Sequence, residues 1–347
     1  MIIMKKFLWK TLLYSLPILL PIAYYAIWIS PHIHGDLGLL GQYPFSDDYT
    51  VEAPPQTKEV NNITYNDSTP QNGILVIGDS FSQPHGHSYT NYLASWSTKD
   101  VYNLSSSWLH GSPFDRFLFV ANQQLTPKIV IIESVERALP YRLLHSSFAL
   151  SPTEMIQASV IDTGTHTEAA EKSSLLQQTS MWIKRRMNYH GYENPVKKVT
   201  LCTPMFSCEG NEKSLFFYKD DLGYSYNQDT LALLAAKVDS LFAFADANDI
   251  HLYLLIAEDK YDLYQTYIAD STHYKKTLLE DLCPLVQTRY LINSKDTLSK
   301  MVANGVKDIY YCNDTHWSPI GAKAVATQVA KRIMELEGDT TIFHVPQ

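Results

Sequence analysis

The sequence predicts an α/β fold with a mostly parallel sheet, preceded by one N-terminal transmembrane helix. Short apolar runs alternate with stretches of helical periodicity from Gly73 onward, and this alternation resumes between Leu231 and Leu336. Strands separated by helices of this length form βαβ units, in which the strands are parallel. An uncharged run of 19 residues, Thr11–Ile29, predicts the membrane helix.

The membrane helix also has an orientation. Three lysines precede the uncharged run and four acidic residues follow it: Lys5, Lys6, Lys10, Asp36, Asp47, Asp48 and Glu52. The positive-inside rule then places the N-terminus in the cytoplasm and the rest of the chain outside. A cleaved signal peptide is the alternative, but its apolar core is shorter, about 7–15 residues, and ends at a small-x-small site. We predict that residues 1–30 form an uncleaved anchor in the inner (cytoplasmic) membrane, with the remaining domain periplasmic or otherwise extracytoplasmic.

The rest of the chain divides into two parts. Residues 31–72 contain turn-forming residues with little periodicity and are interpreted as a linker or a wrapping extension. Residues 73–347 form the main domain, with an insertion at about 139–230 that contains a predicted helix over Lys172–Asn188. The net charge of −8 and the lack of a Lys/Arg cluster beyond the N-terminus exclude nucleic acid as a partner.

The main domain is predicted to contain five strands and three core helices. The strands are Ile74–Gly78, Val101–Leu104, Lys128–Glu133, His251–Ile256 and Asp308–Cys312. The helices are Asp115–Gln124, Leu231–Ala247 and Pro319–Leu336. In an open α/β sheet the loops that follow parallel strands share one edge, and sites form there.

A candidate nucleophile follows the first of these strands, in the run Gly78–Ser82. Gly78 can adopt backbone angles that other residues avoid, so a sharp turn there can lift the Ser80 hydroxyl out of the strand. The alternative is that Asp79 and Ser80 only cap the next helix, as such residues often do.

A candidate base follows the last strand. Asp314 lies two residues before His316, and a carboxylate at this spacing can hold Nδ1 of the imidazole while Nε2 accepts a proton from a hydroxyl. The alternative is a loop histidine that only hydrogen-bonds its neighbour. Because both motifs follow strands, we predict that Ser80 is the nucleophile, that His316 is the general base and then the general acid, and that Asp314 orients His316.

Five short motifs resemble those of the SGNH (GDSL-type) hydrolase superfamily, and the longer ones resemble its alginate O-acetyltransferase (AlgJ/AlgX-like) branch. They are Gly78–Ser80, Glu133–Arg137, Asp259–Tyr261, Asp314–Trp317 and Ser318–Gly321. The resemblance implies a three-layer α/β sandwich over about residues 73–335. It also implies action outside the cytoplasmic membrane together with a membrane-bound O-acyltransferase that exports acetyl groups. The Asp-x-His-Trp motif follows the serine here, as in ordinary SGNH esterases, whereas it precedes the serine in the alginate enzymes.

The resemblance further implies an oxyanion hole. SGNH esterases use a glycine after the second strand and an asparagine after the third; this chain offers Gly111 and Asn103 near the second, and Glu133 but no asparagine after the third. Arg137 and Trp317 complete the predicted oxyanion or substrate-binding set. For Arg137 the alternative is an i,i+4 pair with Glu133 on a helix.

The sequence predicts no metal and no cofactor. His85 and His87 have the spacing of a ligand pair, but no carboxylate or cysteine nearby completes a set. The four cysteines follow no metal-ligand pattern either; they are Cys202, Cys208, Cys283 and Cys312. Cys202 and Cys208 can close a small disulfide loop in an oxidising compartment, or all four are separate thiols.

Together these features predict a membrane-anchored O-acetyltransferase that moves an acetyl group, through a serine ester, to a hydroxyl of a cell-envelope or exported polysaccharide. The expected partners are that polysaccharide as acceptor and a membrane-bound O-acyltransferase as acetyl donor. Two alternatives stay open: a polysaccharide O-acetylesterase with the same three residues, and a non-catalytic scaffold of an acetylation complex.

Overall fold

The computed structural model describes residues 2–46, 49–53, 58, 60–63, 72–83, 87–104, 111–123, 126–146, 175–187, 193–223, 226–270, 272–287 and 289–346. The strands are β1 (Asn61–Ile63), β2 (Ile74–Ile77), β3 (Val101–Leu104), β4 (Ile129–Val135), β5 (Val196–Thr200), β6 (Ser214–Tyr218), β7 (His251–Ala257) and β8 (Leu291–Asn293). The helices are α1 (Ile2–Tyr24), α2 (Gly35–Gly41), α3 (Tyr89–Trp96), α4 (Pro113–Asn122), α5 (Leu139–His145), α6 (Leu175–Arg186), α7 (Gln228–Ala247), α8 (Lys260–Tyr264), α9 (Leu278–Leu282), α10 (Lys295–Ala303) and α11 (Pro319–Glu337).

Six strands form one parallel sheet in the order β1-β3-β2-β4-β7-β8. Alternate residues of each strand point to opposite faces. In β2, Ile74 and Val76 pack with α3 and α11, while Leu75 and Ile77 pack with α4 and α7. Helices therefore cover both faces of the sheet, which confirms the predicted α/β sandwich with a mostly parallel sheet.

The N-terminal apolar segment is helical. Helix α1 contains Pro17 and Pro21 and continues through a π-helical turn at Tyr25–Ile29 into a 3₁₀ turn at Ser30–His32. Among the described residues, Trp9–His32 is the one helical segment long and apolar enough to cross a membrane. Its length and composition fit either an anchor or a signal sequence.

Capping residues set the first residues of helices α4 and α11. Helix α4 starts two residues before the predicted Asp115 because the Ser112 hydroxyl accepts a hydrogen bond from the Asp115 amide and Pro113 occupies the first turn. Helix α11 starts at Pro319, as predicted, with the Ser318 hydroxyl accepting from the Ile320 amide. Of the predicted helix Lys172–Asn188, the part over Leu175–Arg186 is seen as α6, and both predicted ends lie outside the described residues.

One predicted strand is wrong. Asp308–Cys312 does not join the sheet; Asp308 has a φ of 54°, and Tyr310 forms an isolated antiparallel bridge with Trp317. The segment turns back on itself, since the Ser318 amide donates to the Ile309 carbonyl at 2.9 Å. A closed loop over residues 309–318, rather than a strand end, therefore presents His316. The edge strand that flanks β7 is β8, which is too short to give a sequence signal.

Part of the segment interpreted as a linker or extension packs on the main domain. Strand β1 extends the sheet beside β3, and α2 packs against the antiparallel β5–β6 hairpin. The packing is close: a Cβ atom at Gly41 would lie 2.8 Å from Cβ of Val196. The Phe45 ring meets Phe216 edge-on at 4.9 Å. These contacts bring residues just beyond the apolar helix to the sheet edge where the site forms.

Candidate active site

Ser80 lies at the carboxyl end of β2 and begins a 3₁₀ turn, Ser80–Ser82. The turn requires Gly78 because of space: a Cβ atom there would lie 2.0 Å from Oγ of Ser82 and 2.6 Å from a carboxyl oxygen of Glu133. A positive φ was the reason expected from the sequence, but Gly78 is not among the positive-φ glycines. Any side chain at position 78 would displace the turn that carries Ser80.

Buried carboxyl groups fix this turn. Glu133, at the end of β4, accepts hydrogen bonds from the Asp79 amide at 2.8 Å and the Ser82 hydroxyl at 2.9 Å. Asp79 accepts from the Val135 amide at 2.9 Å and pairs with Arg142 at 2.5 Å. Burial, and then the charge of Asp79, raise the pKa of Glu133 to about 8, whereas Arg142 lowers the pKa of Asp79 against the effect of burial. One neutral and one ionised carboxyl therefore share the site without repulsion.

The loop over residues 309–318 brings His316 to Ser80. Nε2 of His316 lies 2.6 Å from Oγ of Ser80, and Nδ1 lies 2.6 Å from Oδ1 of Asp314. The His316 amide donates to the same carboxylate oxygen at 3.0 Å. Phe81 packs against the imidazole with ring centroids 4.9 Å apart. The structure thus brings the three residues predicted to be catalytic into one hydrogen-bonded row.

The electrostatics of this row are those of an ion pair. Burial acts to raise the pKa of Asp314, but the adjacent imidazole and its hydrogen bonds lower it to about 2. Burial acts to lower the pKa of His316, but the Asp314 carboxylate raises it to about 9. At neutral pH the resting pair is therefore imidazolium and carboxylate, and the imidazole becomes a free base as the pH approaches 9.

Lys260, at the start of α8, binds the backbone of the same loop. Its buried ammonium donates hydrogen bonds to the backbone carbonyls of Tyr311 at 2.7 Å, Cys312 at 2.9 Å and Asp314 at 3.0 Å. Burial lowers the pKa of Lys260 to about 8. The sequence showed Lys260 only as the middle residue of the motif Asp259–Tyr261 and gave it no role, because the three carbonyls it binds lie far away along the chain.

Replacing this lysine should loosen the loop. In Lys260→Met we expect the free energy of unfolding to fall by about 2 kcal/mol, since three carbonyls lose a partner while the cost of burying a charge is removed. We also expect about a 10²-fold loss of acyl-enzyme formation from misplacement of His316. Urea unfolding and a burst assay of the full-length protein measure the two effects. The exposed Lys331→Met, on α11, is the control, and a Lys260→Met protein equal to it in both assays would contradict the assignment.

Asp36, from α2, is a site residue that the sequence did not identify. It accepts a hydrogen bond from the Thr315 amide at 2.8 Å and from the Thr315 hydroxyl, and its own amide donates to Asp314 at 3.2 Å. Its carboxylate lies 3.9 Å from Nδ1 of His316. Burial, and then the Asp314 charge, raise the pKa of Asp36 to about 6. Nothing in the local sequence marks it, since it lies 278 positions from its partner.

Two of the predicted oxyanion or substrate-binding residues are engaged elsewhere. The Asn103 side chain is buried and donates to Asn62 of β1 at 3.2 Å. The Trp317 indole donates to the buried Glu258 at 3.3 Å and meets Phe81 edge-on at 4.5 Å, so it supports the Ser80 turn and not an open pocket.

The other two predicted residues are Gly111 and Arg137. Gly111 directly precedes the α4 cap and has a φ of 101°, a backbone conformation that favours glycine. The stretch between Leu104 and Gly111 lies outside the described residues. Arg137 is not in a helical i,i+4 pair with Glu133, which is in β4; it binds Asp259 at 2.7 Å and Asp221 at 3.3 Å. Its charge acts to lower the pKa of His316.

The described residues include one group with metal-ligand geometry, Asp36, Asp314 and His316, whose donor atoms lie within 4.8 Å of one another. Hydrogen bonds to Asp314 and Ser80 already occupy both nitrogens of the imidazole. Of the histidine pair considered from the sequence, His85 lies outside the described residues, and the His87 ring lies 6.4 Å from that of Tyr92. The absence of a metal stays a prediction.

Comparison with known proteins bears on this geometry. A family model described as an SGNH hydrolase-like domain of the acetyltransferase AlgX matches residues 209–343. No curated protein matches the chain. The matched region contains Lys260, Asp314 and His316 and begins after Ser80. The match confirms the resemblance to SGNH hydrolases and to their AlgX-like branch, and it supports an enzyme of acyl transfer or ester hydrolysis.

Proposed function

We propose that this SGNH hydrolase-like protein is an O-acetyltransferase that carries an acetyl group on Ser80 and passes it to a hydroxyl of a cell-envelope or exported polysaccharide. The observation that carries the proposal is the row of Ser80, His316 and Asp314, with consecutive contacts of 2.6 Å. A hydroxyl, an imidazole and a carboxylate in this order are the parts that acyl transfer through a serine ester needs.

The chemistry follows from the contacts. Oγ of Ser80 attacks the carbonyl carbon of an acetyl donor while Nε2 of His316 takes the hydroxyl proton, and the same proton then goes to the leaving group. A sugar hydroxyl next attacks the acetyl-Ser80 ester, giving its proton to Nε2, and Ser80 leaves as the hydroxyl. Asp314 holds the imidazole and stabilises its charge in both steps. The Ser80 amide and a donor near Gly111 would stabilise the oxyanion.

The position of the site relative to the apolar helix supports a donor held in the membrane. Three residues lie between His32, the end of the apolar segment, and Asp36, which contacts Asp314 and His316. The four Cα–Cα steps from His32 to Asp36 span at most about 14 Å when fully extended. If Trp9–His32 is an anchor, the reactive serine lies close to the outer face of the cytoplasmic membrane, where an integral-membrane acyltransferase can present an acetyl group.

The proposal is tested by following the acetyl group on the full-length protein in detergent. We expect p-nitrophenyl acetate to acetylate Ser80, seen by peptide mass spectrometry, and we expect an added polysaccharide fragment to speed the loss of this ester while acetylated sugar accumulates. Loss of the ester to water at one rate with and without sugar would instead assign an O-acetylesterase. Absence of acetyl-Ser80 would assign a scaffold.

The pH dependence of acylation follows from the raised pKa of His316, about 9. A raised pKa keeps the imidazole protonated, and unable to accept the Ser80 proton, until the pH approaches that value. We therefore expect the burst rate of p-nitrophenolate release to rise roughly tenfold per pH unit between about pH 6 and 8 and to level off near 9. Stopped-flow absorbance measures the rate, with Ser80→Ala as the background. A rate that is already constant above pH 7 would contradict the ion-pair assignment.

A further inference from the structure

The segment that follows the apolar helix is hydrogen-bonded to the loop that carries His316. Backbone amides of Leu37 and Gly38 donate to the Asn313 carbonyl at 3.1 and 3.4 Å. Gly35 lies so close that a Cβ atom there would be 2.3 Å from the same carbonyl oxygen. Asp36, between them, binds both the amide and the hydroxyl of Thr315. Hydrogen bonds of Asp36, Leu37 and Gly38 thus fasten α2 to the residues on either side of Asp314.

We propose that Asp36 is a positioning residue for His316: a second carboxylate, supplied by the segment next to the membrane helix, that sets both the place of the imidazole and its readiness to accept a proton. The inference rests on the proposed function, because it deepens the role of the same site. It links the anchor side of the protein to the catalytic loop without assigning Asp36 any contact with substrate.

Two features separate this role from simple packing. First, Thr315 lies between Asp314 and His316, so a carboxylate that binds both its amide and its hydroxyl fixes the peptide that joins them. Second, the charge faces the imidazole: Oδ2 of Asp36 lies 3.9 Å from Nδ1 of His316. A negative group at this distance favours the protonated imidazole.

Several other groups face the His316 imidazole or act on its pKa. Asp314 lies on the same loop and acts in the same direction as Asp36, whereas Arg137, beyond β4, acts in the opposite direction. Ser80 meets Nε2, and the Phe81 ring packs on one side. The charge of Asp314 in turn raises the pKa of Asp36, and the charge of His316 lowers it. Removing the Asp36 charge leaves Asp314 and Arg137 in place, so the imidazole should lose its proton at a lower pH.

The test is the pH profile of Ser80 labelling by a fluorophosphonate probe on the full-length protein in detergent. Asp36→Asn keeps an oxygen acceptor for Thr315 but removes the charge. We expect its labelling rate to reach the plateau about one pH unit lower than in the unmodified protein, so that it labels faster than the unmodified protein on the acid side. Asp100→Asn, which removes a carboxylate paired with Lys58 far from the site, is the matched control and should leave the profile unchanged.

A second variant keeps the inference testable if Asp36→Asn labels poorly. Asp36→Ala should label more slowly at every pH because the loop loses its hydrogen bonds, and added formate should restore rate by refilling the carboxylate position. An Asp36→Asn profile equal to that of the unmodified protein would overturn the inference, and so would unfolding of both variants. If the unmodified protein does not label at any pH, the proposed function fails instead, and the two failures are distinct.

A second inference comes from the cysteines. Cys208 and Cys312 are both fully buried in the same apolar cluster, where Cys312 lowers the pKa of the Cys208 thiol and Cys208 raises the pKa of the Cys312 thiol. The surrounding backbone holds the two segments together, since the Ser207 amide donates to Asp308 at 2.9 Å and the Asp308 amide donates to the Met205 carbonyl at 3.0 Å. The small loop considered from the sequence pairs Cys208 with Cys202, but Cys202 is exposed.

We infer that Cys208 and Cys312 form a disulfide when the domain folds outside the cytoplasm. This bond would join the segment between β5 and β6 to the loop that carries Asp314. Each thiol gives up one proton and one electron, and the disulfide of a thiol–disulfide oxidoreductase accepts both electrons and becomes a dithiol. Oxidation precedes burial of the pair during folding. The bond would fix Cys312 two residues before Asp314.

Alkylation of the full-length protein taken from its native membranes tests this bond. Under denaturing, non-reducing conditions we expect iodoacetamide to modify Cys202 and Cys283, while peptides containing Cys208 and Cys312 stay linked until dithiothreitol is added. Cys208→Ser should expose Cys312 to alkylation, whereas Cys202→Ser should change nothing at Cys312. Alkylation of all four thiols without reductant, or a Cys202–Cys208 link, would overturn the inference.

Discussion

Ser80→Ala is expected to lower the rate of acetyl transfer by about 10⁴ or more. The hydroxyl that meets Nε2 of His316 at 2.6 Å is removed, while the fold is kept, because the turn is fixed by Gly78, Asp79 and Glu133 and not by Ser80 itself. Mass spectrometry of envelope glycans from cells that carry only this variant should show the acetylation level of a deletion strain.

The controls for this variant are chosen by contact. Ser240→Ala, on the exposed face of α7, should leave acetylation unchanged. Ser82→Ala is unsuitable as a control because its hydroxyl donates to Glu133 at 2.9 Å and supports the Ser80 turn. His316→Ala should lose as much activity as Ser80→Ala, and the double variant should lose no more, since residues that act as a unit are not additive. Normal acetylation with Ser80→Ala would refute the proposed function.

Lys276→Met is expected to cost about 3–5 kcal/mol of unfolding free energy, the largest effect on stability. The buried Lys276 ammonium pairs with Asp259 and with Glu136 at 3.3 Å, and it donates to the Asp221 carbonyl at 3.0 Å. These carboxylates raise the pKa of Lys276 although burial acts to lower it. Without the ammonium, Arg137 still pairs with Asp259 and Asp221, but Glu136 loses its ion-pair partner, and buried negative charge is left uncompensated.

Urea unfolding of the full-length protein measures this effect. Lys275→Met, one residue earlier and exposed, is the matched control and should change the midpoint little. Adding Asp259→Asn and Glu136→Gln to Lys276→Met should recover part of the loss, because the carboxylates that lack a partner are then neutral. If the triple variant is less stable than Lys276→Met by the sum of the added losses, repulsion among buried charges is not the cause.

Elements with a strong local signal of their own were predicted, and short elements were not. Strands β2, β3, β4 and β7 and helices α7 and α11 were predicted to within a few residues, because each has an apolar run or a helical period of its own. Strands β1 and β8 have three residues each and were missed. Residues 308–312 are apolar enough for a strand but form a loop, because a positive φ at Asp308 and the return bridge to Trp317 decide their path.

The sequence by itself determined the fold class and indicated Ser80, Asp314 and His316 as candidate catalytic residues. Their signals are local: a glycine and a serine after one strand, and a carboxylate two residues before a histidine in a later loop. The parallel sheet places Ser80 at the carboxyl end of β2. His316 reaches it by another route, because the closed loop over residues 309–318, which joins no strand of the sheet, brings Nε2 to 2.6 Å from Oγ of Ser80.

Only the tertiary structure decided what supports these three residues. Asp36 and Lys260 each bind a loop that is distant in sequence. Lys260 lies in a motif that the sequence showed, but no local pattern indicated which groups either residue binds. Trp317 was predicted to belong to the oxyanion or substrate-binding set, yet it is buried against Phe81 and Glu258. Chemistry-bearing residues can be recognised from their own neighbours along the chain, whereas the groups that position them are set by packing between distant segments.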